Sequence, residues 1–359
     1  MSSLDNYEII PAVVSNIRHR NECIPYYGAF YSTDFDNYSL AGAYLPIIAA
    51  PMASVINENN YMDFDANGIM TVIPRTIPLS TRLEIMKKSV FVAVGLDEFK
   101  MIINDYTSLP EDTMICLDVA NGHMKEVLDL SREAKTKFGD NLVLMTGNIA
   151  NPDTYLWYAN AGIDFVRCSI GSGNVCSTSY LSGIHMSMDK LIKRTYKNKQ
   201  YVEEHYTQFK SVPKIVADGG FQSIRQIIIA LALGADYVML GQMMAATEEA
   251  CGEVIWYKEW NSRMMQLSEE KKPYRVYYGM STERAQKEMG HSKVKPAEGV
   301  EKFVPIKYTI KDWTKEFVRI ISSTMSYCNT TMLEDFVGKV QVEKASDGEY
   351  MSYEKSKYI

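Results

Sequence analysis

The chain has no C-x-x-C pair among its six cysteines, no apolar run long enough to cross a membrane, and no excess of basic charge. Each absence removes a class of protein. No His, Cys and carboxylate cluster shows metal-ligand spacing, so no catalytic transition metal is expected. The longest apolar stretch, residues 44–55, is broken by Pro46 and Pro51, and no membrane contact is expected. No cationic, apolar leader stands at the start. The expectation is therefore a cytoplasmic protein with reduced thiols. Lys and Arg number 38 against 44 Asp and Glu, a net charge of −6. That balance argues against a general nucleic-acid binder, although a local patch can still hold a phosphate. Internal repeats and low-complexity tracts are also missing.

What is present is material for a large core: 359 residues, 46% hydrophobic and 23% charged. Eight short β-branched runs recur, at 45–50, 69–73, 90–94, 114–118, 143–146, 165–168, 215–218 and 237–240. They are nearly continuous rather than alternating, as parallel strands buried on both faces require. Amphipathic stretches lie between them, such as 121–138 with Met124, Val127, Leu128, Leu130 and Ala134 on one face, and 223–233. Eight β/α units predict an α/β fold, a (β/α)8 TIM barrel, with an open doubly wound sheet as the competitor. One barrel is expected over 1–338, with a long active-site loop at 169–212 and a polar flap after strand eight at 250–305. Residues 339–359 read as a polar C-terminal tail. The gap from Pro74 to Val90 leaves no room for an inserted regulatory domain.

Four segments carry candidate chemistry. Gly171-Ser172-Gly173-Asn174-Val175-Cys176-Ser177-Thr178 follows the sixth strand. Its glycines permit a tight turn with positive φ, which presents Cys176 at a strand's C-terminal end. N–H groups in such a turn stabilise a thiolate, making Cys176 a candidate nucleophile; the plainer reading is a glycine-rich loop that happens to hold a cysteine. Gly171 and Gly173 also have carbonyls to offer a monovalent cation. Ala217-Asp218-Gly219-Gly220 and the run from Gly234 to Gly241 end strands seven and eight. Glycines there bind phosphate through backbone N–H groups, with Asp218 placed for ribose hydroxyls. This pattern does not choose among nucleotides, FMN and sugar phosphates, and the glycines serve equally for close packing. Asp118-Val119-Ala120-Asn121-Gly122-His123 joins strand four to its helix, where Asp118 either meets a cofactor or caps the helix. Tyr277-Tyr278-Gly279-Met280-Ser281-Thr282-Glu283 offers Met280 to a planar base and Glu283 as a proton carrier, or is simply a strand, a turn and a helix start.

Together these segments resemble the inosine-monophosphate dehydrogenase / guanosine-monophosphate reductase family. The resemblance runs from about Tyr7 to Phe336 through 46–55, 118–122, Gly147-Asn148, 171–178, 217–220, 234–241, 247–253 and 279–283. It implies a homotetrameric barrel that binds a purine mononucleotide and a nicotinamide dinucleotide. Cys176 corresponds to the thiol that attacks purine C2. Met52, Asn174, Asp218, Gly219, Gly220, Gly241, Gln242, Tyr277, Gly279 and Met280 would hold the nucleotide. Asp118, Ala120, Asn121 and Gly122 would meet the cofactor. Gly171, Gly173 and Cys176 would offer backbone carbonyls to K+. Segments 118–122 and 279–283 resemble the reductase branch, in which Thr178 and Glu283 relay a proton to departing ammonia and NADPH reduces C2. The dehydrogenase branch, which uses NAD and water, carries an Arg-Tyr pair in its flap. Here the only arginine in 281–304 is Arg284, and no Arg-Tyr occurs. Four departures stand out: Asn174 for a serine, Gln242 for a small residue, Ala53 for an aspartate, and a non-basic stretch after Thr178. An FMN-dependent barrel oxidoreductase and a non-catalytic nucleotide-binding relative are the further alternatives.

Overall fold

The structure, a computed structural model, describes residues 2–28, 30–32, 37–39, 42–88, 90–173, 182–261, 266–290 and 299–345. Strands β1 (Tyr7–Ile9), β2 (Phe30–Ser32) and β3 (Asn37–Ser39) come first, with β2 and β3 paired to each other. Eight parallel strands then close a barrel: β4 (Ile47–Ala49), β5 (Met70–Ile73), β6 (Phe91–Val94), β7 (Thr113–Asp118), β8 (Leu142–Ile149), β9 (Phe165–Cys168), β10 (Lys214–Asp218) and β11 (Tyr237–Leu240). Closure is made by β11 on β4, where Val238, Met239 and Leu240 stand opposite Ile47, Ile48 and Ala49. These are the eight runs read from the sequence, shifted only at their ends.

The continuous apolar runs serve two faces at once. Ile48, Val72, Phe91, Cys116, Met145, Val216 and Met239 fill the barrel interior. Their neighbours Ile47, Ile73, Val92, Ile115, Leu144, Ile215 and Val238 pack outward against helices. Helices Tyr61–Asp65, Leu79–Met86, Leu96–Asp105, Lys125–Phe138, Thr154–Ala161, Met188–Glu204 and Ile224–Ala232 follow the first seven barrel strands in turn, and Ile310–Tyr327 completes the ring. Such alternation of strand and helix is what a (β/α)8 barrel needs. The helix expected from 121 starts at Lys125, because residues 118–122 are taken up by a loop that packs on β8.

The polar excursion after β11 is ordered by an antiparallel sheet: β12 (Val254–Asn261), β13 (Gln266–Tyr278) and β14 (Glu301–Pro305). Arg275 of β13 anchors it. Its guanidinium is buried and donates to the carbonyls of Ala245, Gly252, Thr247 and Glu248 at 2.6–3.2 Å. Burial lowers its pKa, yet no carboxylate is bonded to it among the described residues; backbone dipoles carry the charge. Arg275→Met should therefore leave several carbonyls dry, each at about 1–3 kcal/mol. The expected loss is about 3 kcal/mol or more, read by urea unfolding, with faster proteolysis of β12–β13.

One segment differs from its sequence reading. Residues 342–344, taken as part of a polar tail, form β15 (Val342–Lys344) and pair antiparallel with β1. Tyr7, Ile9 and Val342 of the pair lie against the core, but strands of three residues are too short for hydropathy to mark. Residues 346–359 lie outside the described part.

Candidate active site

Strand parity sets the site. On β7, Cys116 faces the interior, so Asp118 does too; on β10 the same holds for Val216 and Asp218. On β9, Phe165 and Arg167 take the inward positions. Register then aligns Asp118 with Gly147, and Gly147 with Arg167. These groups sit at the C-terminal ends of their strands, the barrel face where catalytic loops gather.

Arg167 joins them. Its Nη1 donates to Asp118 Oδ1 at 2.7 Å, and its Nη2 and Nε donate to Asp218 Oδ2 at 2.9 and 3.2 Å. Asn148 Nδ2 adds a fourth bond, to Asp218 Oδ2 at 2.7 Å. The arginine is 6% exposed. Burial opposes its charge, but the facing carboxylates outweigh burial and hold its pKa well above the usual range. Arg167 was missed in the sequence, where it passed as the end of a strand. An arginine at an inward position of a buried strand is the signal that marks it.

A cavity of 340 Å³ opens over this cluster. Met52, Asp118, Ala120, Gly171, Gly173, Asp218, Gly219, Gly241, Tyr277, Gly279 and Met280 all line it, so most of the expected site residues converge. Arg75, Asn148, Ser169, Ile170, Ser281 and Met289 line it as well and were not foreseen. Arg75 brings a second cation, with Nε 3.9 Å from Glu98. Tyr277 is buried and its hydroxyl lies 3.3 Å from Met52 Sδ. Burial first, then the charge of Asp218, pushes its pKa up, so it is a neutral hydrogen-bond donor. Gly241 leaves the space for it: a Cβ there would sit 2.4 Å from the Tyr277 oxygen. Gly219 and Gly220 have φ of +84° and +86°, a backbone that side chains disfavour.

Four expected residues stand elsewhere. Gly220 lines a neighbouring cavity of 510 Å³, walled by Ser172, Gln222 and the N-terminal residues Ser2 to Leu4. Gln242 faces a third cavity of 660 Å³ beside Trp313 and Lys307. Asn121 is exposed, its Oδ1 accepting from the His123 N–H, and Gly122 is buried against the end of β8. His123 bridges two loops: its ring nitrogens meet Thr154 Oγ1 and the Ala150 N–H, both at 3.0 Å. Burial lowers its pKa, in keeping with a neutral ring that supports the Asp118 loop from behind.

Glu283 begins the helix Glu283–Glu288, with Thr282 as the N-cap. Its carboxylate is 62% exposed and paired with Lys287 Nζ at 2.6 Å, and it does not line the cavity. Asn174, Cys176 and Thr178 lie outside the described residues. Among the described residues no group of three or more His, Cys, Asp or Glu could hold a metal ion, and no helix is long and apolar enough to cross a membrane.

The profile of the IMP dehydrogenase / GMP reductase domain matches residues 43–352. A GMP reductase from Aliivibrio fischeri (strain MJ11) is 26% identical over 315 residues, 85% of this chain and 84% of its own. One from Bacillus subtilis (strain 168) is 27% identical over 299 residues, covering 80% of this chain and 82% of its own. An inosine-5'-monophosphate dehydrogenase from Chlorobaculum parvum is 29% identical over 234 residues, 62% of this chain but 43% of its own.

Proposed function

The chain belongs to the IMP dehydrogenase / GMP reductase domain family, and from that premise we propose that it reduces GMP, or a closely related guanine nucleotide, to IMP with NADPH and release of ammonia. The observation that carries the reading is the pair of carboxylates at one cavity. No described donor reaches Asp218 Oδ1 or Asp118 Oδ2, so each carboxylate keeps one oxygen for a ligand. A mononucleotide and a dinucleotide each bring a ribose diol, and two acceptors on separate strands fit two such sugars. Phosphate of the mononucleotide would meet the N–H of Gly241 and the Tyr277 hydroxyl, since the Gly219 N–H is already given to the Met239 carbonyl at 3.3 Å.

Direction toward reduction has two supports. The A. fischeri and B. subtilis GMP reductases match over more than four-fifths of their own length, the C. parvum dehydrogenase over 43%. Moreover, Arg284, the only arginine of 281–304, is engaged: it bonds Glu253 at 3.0 Å and Glu288 at 3.2 Å and lies over the Tyr278 ring. A guanidinium held by two carboxylates keeps its proton and is a poor activator of water.

In this reading Cys176 adds to C2 of the purine, forming a C–S bond. The 2-amino group leaves as ammonia, its proton relayed from Glu283 through Thr178. The nicotinamide, when bound, supplies the hydride that replaces sulfur at C2. Asp118 and Ala120 would flank it at the mouth, where the free oxygen of Asp118 fits a ribose and the small Ala120 leaves room for a flat ring. The same reading includes a homotetramer, a cytoplasmic location and a K+ ion on carbonyls of Gly171, Gly173 and Cys176.

The deciding assay supplies GMP with NADPH, against IMP with NAD+, and measures ammonia along with absorbance of the reduced cofactor. Ammonia in step with NADPH loss is expected. NADH made from IMP, with no ammonia from GMP, would assign the dehydrogenase reaction instead. Asp218→Ala should weaken nucleotide binding by about 1.5–3 kcal/mol, the range for hydrogen bonds to a charged group. Calorimetry checks this, and guanosine binding as tightly as GMP would sink the phosphate assignment.

A further inference from the structure

We propose that Arg167 is a positioning residue that makes the two ribose-facing carboxylates, Asp118 and Asp218, one unit, so that substrate and cofactor sites are built together. This deepens the proposed function and rests on it. Asp118 ends β7 and Asp218 ends β10, and they are separated around the barrel by β8 and β9. Arg167 on β9 adjoins Asp218's strand directly, but Asp118 lies two strands away.

Gly147 makes the longer reach feasible. It stands in register between Asp118 and Arg167, and a Cβ on it would lie 2.5 Å from the Arg167 carbonyl oxygen and 2.7 Å from the Arg167 Cβ. With no side chain there, the guanidinium crosses above β8 and takes one oxygen of each carboxylate. The opposite oxygens are thereby left to ligands. A planar fork with fixed donors suits this better than any other side chain. Cys116, 3.6 Å from Nη1, also stands at the guanidinium, and Asn148, Arg75, Tyr277, Ser169 and Ser281 bring further polar groups to the cavity.

Arg167→Met and Arg167→Lys test this, with GMP and NADPH binding measured separately by calorimetry. Circular dichroism melting confirms that each variant is folded. Arg167→Met should weaken both ligands by about tenfold or more. Arg167→Lys restores the charge without the planar fork, so both affinities should recover in part and stay intermediate. Loss of one ligand alone, loss of neither, or no recovery in Arg167→Lys would overturn the inference. If Arg167→Met does not fold, Arg167→Lys decides: weakening of both ligands supports it, and wild-type affinities overturn it. A wild-type protein that binds neither ligand defeats the proposed function itself, which is a different result from any of these.

Discussion

Cys176→Ala is expected to abolish GMP reduction while GMP binding stays within about tenfold, 1.4 kcal/mol. If the reaction runs through a C–S bond, no neighbouring group replaces the sulfur, and the rate should fall roughly 10³-fold or more, as when a nucleophile that defines a mechanism is removed. The other cysteines make the test clean. Burial pushes the thiols of Cys23 and Cys251 up to about 11 and those of Cys116 and Cys168 up to about 12, and it raises Cys328 as well. None of these five is a thiolate near neutral pH, so brief iodoacetamide treatment at about pH 7 should label Cys176 first and inactivate in proportion. Alanine at the others should keep most activity, with a stability cost of about 1 kcal/mol at buried Cys116 and Cys168. Turnover near that of the wild type in Cys176→Ala would end the covalent mechanism.

Glu283→Gln is expected to slow ammonia release from GMP by about 10²–10⁴-fold with nucleotide binding little changed. Ammonia leaves only when protonated, and the Thr178 hydroxyl alone is too weak an acid to provide that proton near neutral pH. Glutamine keeps the shape of Glu283 without its titrating proton. Because a dehydrogenase hydride step needs no acid, a burst of NADH from IMP should survive the substitution if that reaction occurs at all. The Lys287 pair adds a constraint. Its hydrogen bond and charge hold the Glu283 carboxyl below the usual carboxylate range. That pairing leaves Glu283 largely ionised near neutral pH, so Lys287→Met, which removes the cation, should make more of the acid form available and speed deamination there. Unchanged ammonia release in Glu283→Gln would make Glu283 an ordinary helix-start carboxylate. A rate unmoved by Lys287→Met would show that another group supplies the proton.

The barrel was legible because parallel strands covered on both sides must be apolar at every position, and eight such runs stand out against polar helices. Asp218, Gly219 and Gly241 were legible from their places at the ends of apolar strands, whereas Tyr277, in the largely polar β13, was named through the family resemblance. Arg167 was hidden by its setting. Its inward direction follows from parity, but its partners depend on register, which no local pattern encodes. Arg75 comes from the end of β5, in a stretch with no motif. Gly220 and Gln242 were placed by chain neighbourhood, yet Gly219 stands between two cavities and Gly220 reaches only the neighbouring one, while the chain turns after Gly241 and carries Gln242 to a third. The β1–β15 pair escaped because its strands are only three residues long, too short for alternation to mark them.

Closure of β11 on β4 has a consequence for the order in which the molecule assembles. Met52 follows the first barrel strand, Gly241 ends the eighth, and Tyr277 arrives later still; they touch only because the two ends of the sheet have met. Contacts this distant in sequence come with a large loop-closure cost and form slowly. The cradle between Gly241 and Tyr277 is thus absent from every partly closed barrel, however complete its earlier β/α units. A chain emerging during synthesis should gain affinity for a phosphorylated ligand only after β13 has been added, so that ligand binding itself reports completion of the fold.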